Sequence, residues 1–149
     1  MKEFVRLTLP PLTLRGDEVP LAAAALGPRL FGVSDVTPGD NLDPEDQKII
    51  TLARSSRTRV ASSEGAAVRD ETGRTYTAAA VALPSLRLSA LRLAVAMAVS
   101  SGAESLEAAA LVSDKEPDPG DLATVRDLGP AAPIFHAGTD GVLKATLLP

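Results

Sequence analysis

The run LPSLRLSALRLAVAMAVSSGA, from Leu83 to Ala103, constrains this chain more than any other stretch. Wound at helical spacing, Leu86, Leu88, Leu91, Leu93, Val95, Met97 and Val99 point in nearly every direction. A helix without a polar face has to be covered on all sides, which places it at the centre of a domain or at a subunit interface. Pro84 and Ser85 suit its opening, and Gly102 suits the position just beyond its end. Arg87 and Arg92 interrupt the run, so it falls short of a membrane span.

Helix start and stop signals organise the residues on either side. DPEDQKIITLARSSRTR carries Asp43 as N-cap, Pro44 at the first helical position and acids in the first turn. Arg54, Arg57 and Arg59 fall at its negative end. EGAAVRD and RTYTAAAVAL, joined by Asp70–Glu71–Thr72–Gly73, predict a hairpin with Val68, Tyr76 and Val81 facing inward. SLEAAALVSD reads as a buried strand. EPDPGDLATVRDLG reads as a short helix capped by Asp118 with Pro119 at its first position. APIFHAG and GVLKATLLP read as two strands around Thr139–Asp140–Gly141. This order predicts an α/β fold, a three-layer α/β/α sandwich around a mixed sheet, over residues 42–149. Residues 1–41, punctuated by Pro10, Pro11, Pro20, Pro28 and Pro38, read as an extension or irregular arm. Within it, EFVRLTL suits an edge strand and PLAAAALGPRLFGV a short helix or turn.

Composition removes several kinds of chemistry. The chain has no cysteine, which excludes disulfides, thiolate nucleophiles and zinc–thiolate sites. A net charge of −4, with no basic cluster beyond Arg54, Arg57 and Arg59, argues against nucleic-acid binding. Aromatic residues are 3% of the chain, too few to build a stacking platform for bases or flavins. The opening MKEFVRLTLPPLTLRGDE has prolines and charges where a secretory leader needs an apolar core. A cytoplasmic protein with no membrane association is expected, and the richness in Ala, Arg, Val, Pro and Gly suggests a bacterial source.

Residues 42–149 resemble the cytidine deaminase family. GAAVRDETGRTYTAAAV is laid out like the family's strand, turn and GRxYTGxNVEN. LSALRLAVAMAVSSGA is laid out like LCAERTAIAKAVSEG, and PDPGDLATVRDL is similar to PCGACRQVLAEL in length and leucine frame. The closing LLP also resembles a common family ending. The resemblance implies the deaminase fold and assembly as a homo-oligomer, a dimer or tetramer. It also assigns positions to the family's machinery, where a zinc-activated water attacks the ring and a glutamate moves the protons. The first metal ligand falls on Ser89, the glutamate on Leu91, and the two later cysteines on Asp118 and Asp121. The ribose-gripping Asn and Glu fall on Ala80 and Ala82. Leucine can neither bind a metal nor carry a proton, and a serine hydroxyl is a poor zinc ligand at neutral pH.

Ser89, Leu91, Asp118 and Asp121 are therefore vestigial positions, with no catalytic residue, no metal and no cofactor expected. Asp118 and Asp121 suit a helix cap, or a pair of oxygen ligands for a hard cation. His136, the only histidine, reads as a strand residue near a sheet end, or as a base in an altered hydrolase with those two acids. Ser85 reads as a cap, Ser89 as core packing and Tyr76 as hairpin core. Arg87 and Arg92 are the candidate ligand-binding residues, toward an anionic small molecule, or else charges at an oligomer edge. A non-catalytic role, structural, regulatory or small-molecule-binding, is expected, with an altered nucleoside hydrolase as the alternative.

Overall fold

A computed structural model describes residues 42–149, and the expectations for residues 1–41 lie outside it. Helix α1 spans Pro44–Arg59, with the Asp43 side chain accepting from the Glu45 amide at 2.9 Å. Strands β1 (Glu64–Asp70) and β2 (Thr75–Ala79) form the expected hairpin, placing Val68 opposite Tyr76. A second, two-stranded sheet follows, β3 (Val81–Leu83) and β4 (Leu86–Leu88). Then come α2 (Ala90–Ser100), β5 (Leu106–Ser113), α3 (Pro119–Leu128), β6 (Ile134–Ala137) and β7 (Leu143–Leu147).

The main sheet has the order β2-β1-β5-β6-β7. Among the described strands only β5 and β6 run parallel, joined through α3, while the other neighbours are antiparallel. Period-two alternation divides the side chains between two cores. Ala67, Ala108, Ala110, Val112, Phe135 and Ala137 pack beneath Ile49, Ile50 and Ala53 of α1. Ala66, Val68, Ala109, Leu111 and Ile134 face Leu91, Ala94, Val95, Ala98 and Val125 on α2 and α3. The mixed-sheet α/β/α sandwich is thus present, with α1 on one face and α2 and α3 on the other. The many alanines let the layers lie close. At Gly65 even an alanine is too large, since a Cβ there would lie 2.1 Å from the Ala53 carbonyl oxygen.

The helix start and the place of Val81 differ from expectation. The central helix does not open at Pro84–Ser85, which instead form the two-residue turn between β3 and β4. Proline fits either a first helical position or the first corner of a turn. Here the cap is Ser89, whose hydroxyl accepts from the Arg92 amide at 3.2 Å. Ser85 is accordingly an exposed turn residue rather than a cap, and Ser89 caps a helix rather than filling core. Of the two placements expected for α2, the centre of the domain does not account for all of its apolar residues. Ala90, Leu91, Ala94, Val95 and Ala98 form its buried stripe, while Met97 and Val99 are 38% and 54% exposed. Val81 is half-buried in the small sheet instead of continuing β2.

Candidate functional site

The starts of α2 and α3 come together on one side of the sheet. Each has amides that need acceptors and a positive dipole end that favours an acid. At α2, the Ala90 amide donates to Glu64 Oε2 at 2.8 Å, in addition to the Ser89 cap. At α3, the Gly120 amide donates to Asp118 Oδ2 at 3.0 Å, with Pro119 following the cap as expected.

Asp121 does not cap its own helix. Its buried carboxylate turns toward α2, where Oδ1 accepts from Ser89 Oγ at 2.8 Å and forms an ion pair with Arg92 Nε at 2.9 Å. Arg92 Nη2 lies 3.8 Å from Asp118 Oδ2. One guanidinium thus faces both acids, ties the two helix starts together and packs closely over Gly120. A Cβ there would sit 2.1 Å from Arg92 Nη2. Leu91 is fully buried against the sheet and Leu88 half-buried.

This donor set does not fit the zinc that the resemblance implies. Zinc takes thiolate, imidazole or carboxylate ligands. Between these helix starts there are a hydroxyl, two carboxylates and a fixed positive charge that would repel a second cation. Among the described residues, no three His, Asp or Glu side chains are grouped to hold a metal ion. His136 is buried on β6 with its Nε2 3.1 Å from the Ser113 carbonyl oxygen, and does not complete a cluster with Asp118 and Asp121.

The two candidate ligand-binding arginines are separated in role. Arg92 is engaged by the acids, whereas Arg87 is exposed on β4, opposite Ala82. Tyr76 packs against the core as expected, and its hydroxyl donates to Asp70 Oδ2 at 3.0 Å. Asp70 is buried in the hairpin turn, where Oδ1 accepts from the Thr72 amide and hydroxyl and the Arg74 amide. Burial works to raise its pKa, but these bonds outweigh it and hold the carboxyl below the ordinary aspartate value.

Glu64 is the site residue that the sequence reading missed. The signal was present in alternation, because residues 64, 66, 68 and 70 share the face toward α2. Ala66 and Val68 fill the middle of that row, leaving an acid at each end. Beside Glu64 opens a cleft of about 360 Å³, lined also by Arg57, Ser63, Ser113, Asp114 and Lys115.

Against known proteins, residues 42–141 match the family model described as cytidine deaminase-like. The fold is similar to that of the cytidine deaminase from Burkholderia pseudomallei, at TM-score 0.60 and 20% identity over 68% of this chain and 90% of that one. The Mycobacterium tuberculosis cytidine deaminase aligns at TM-score 0.55 and 23% identity, over 63% of this chain and 86% of that one. The Mycobacterium leprae enzyme aligns at TM-score 0.55 and 18% identity, over 68% and 93%. No curated protein sequence matches the chain.

Proposed function

The chain belongs to the cytidine deaminase-like family, and from that premise we propose a domain that keeps the family's fold without its zinc-dependent deamination. Its role is structural, regulatory or small-molecule-binding, and it uses no cofactor. One observation carries this reading: the carboxylate of Asp121, which the resemblance sets at a metal ligand's position, is held instead by Ser89 and Arg92. Deamination needs a water made acidic by a metal and a side chain that moves its proton. An arginine-bound carboxylate and a buried leucine supply neither.

The exposed Leu83 and Leu86 of the small sheet, with Met97 and Val99 of α2, support a homo-oligomer in which a second copy covers them. Within the described residues no helix is long and apolar enough to cross a membrane, and a cytoplasmic location is part of the same proposal. The test is an ultraviolet assay of cytidine and deoxycytidine with the full chain in excess zinc. No turnover above the uncatalysed rate is expected, and zinc-dependent turnover abolished by chelation overturns the reading.

A further inference from the structure

We infer that the cleft between the end of α1 and the β5–α3 loop binds a small amino-carboxylate, a zwitterion of free amino-acid type. The cleft lies outside the carboxyl end of β5, where open α/β sheets bind their ligands. Its volume of about 360 Å³ falls in the ordinary range for small-molecule pockets, about 300–1,000 Å³.

The lining carries both signs of charge, Arg57 and Lys115 against Glu64 and Asp114. Among the described residues, none of these four forms an ion pair with another. Three of the side chains are held by other bonds. Arg57 Nε donates to the Ser63 carbonyl at 3.4 Å, and Asp114 Oδ1 accepts from Thr139 Oγ1 at 3.2 Å. Glu64 Oε2 accepts from the Ala90 amide, and among the described residues Oε1 has no partner, which leaves it for a ligand.

Opposite charges around one cleft, kept from closing on each other, select a molecule that carries both. A simple anion or cation would meet one partner and one repelling group. A neutral nucleoside would leave all four charges without a counterpart. An ammonium at Glu64 and Asp114, with a carboxylate at Arg57 and Lys115, satisfies both sides through charge-assisted bonds.

The inference rests on the proposed binding role, and its test can fail separately from that role. The full chain is titrated with a panel of free L-amino acids, followed by thermal shift and calorimetry. N-acetyl and carboxamide derivatives of the best binder, and cytidine, serve as controls. At least one amino acid should raise the melting temperature saturably, as linkage requires. Both derivatives, each lacking one charge, should lose that response.

Glu64→Gln should weaken binding about tenfold by removing a charged acceptor. Lys115→Gln should act in the same direction. Lys115 is exposed and its side chain makes no hydrogen bond among the described residues, so this variant keeps the test valid should Glu64→Gln fail to fold. No binding at millimolar concentration, binding indifferent to both variants, or derivatives that bind as well as the parent each overturn the inference. Zinc-dependent turnover would overturn only the non-deaminating reading.

Discussion

Asp121 would be a buried acid without adequate compensation were it not for Arg92 and Ser89. Removing one partner of such a pair is more damaging than the pair's net value, because the desolvated charge remains. Arg92 is itself 45% exposed, which moderates the effect. Arg92→Leu should therefore cost about 1–3 kcal/mol, measured by urea unfolding. Arg92→Lys should recover only part of that loss, since an ammonium lacks the flat fork that faces two acids. Asp70 has a folded pKa that lies below its unfolded value. Its contribution is complete above the unfolded value and is lost as pH falls through the lower folded one. The stability advantage of the wild type over Asp70→Asn should hold near neutrality and shrink on acidification below pH about 4. Urea midpoints across that range check it. Asp118 was legible as a cap because capping is a local matter of a few residues. Asp121 was not, because its partners lie on another helix and nothing in its own segment names them.

At the scale of elements, α2 is the informative case. Its apolar residues gave no direction in the sequence, yet the fold divides them into a buried stripe and an exposed face with Met97 and Val99. The small β3–β4 sheet adds Leu83 and Leu86 to the exposed apolar surface. If a second copy covers these side chains, Leu86→Glu combined with Val99→Glu should lower the mass seen in light scattering to that of a monomer. Circular dichroism should remain unchanged, because both positions lie outside the chain's own core. A variant that keeps its assembly size would remove this surface from the interface. The helix start escaped sequence reading for a physical reason: Pro84–Ser85 and Ser89 both offer acceptable beginnings. Only the pairing of Val81 with Leu88 and of Leu83 with Leu86 decides between them. Strands whose ends are marked by Asp70 and Gly73, or by Thr139 and Gly141, were legible because their turns are.

For the whole molecule, the order of elements fixed the sandwich, since one helix, a hairpin and a β5–α3–β6 crossover leave few ways to cover both faces of a mixed sheet. What order cannot convey is the chemistry at the meeting of two helix starts, where the identity of a few side chains decides between a metal and an arginine. Ser89, Arg92, Gly120 and Asp121 agree with one another: a hydroxyl that donates, a guanidinium that neutralises, a residue small enough to admit it, and the acid that both hold. On the proposed reading the guanidinium stands where an ion would, and its charge disfavours a second cation beside it. Zinc content is consequently the most direct measurement, made by elemental analysis on the full chain purified from zinc-supplemented cells. Far less than one zinc per chain is expected, with no change in melting temperature on adding zinc. One tightly held zinc per chain, lost together with stability on chelation, would contradict that reading.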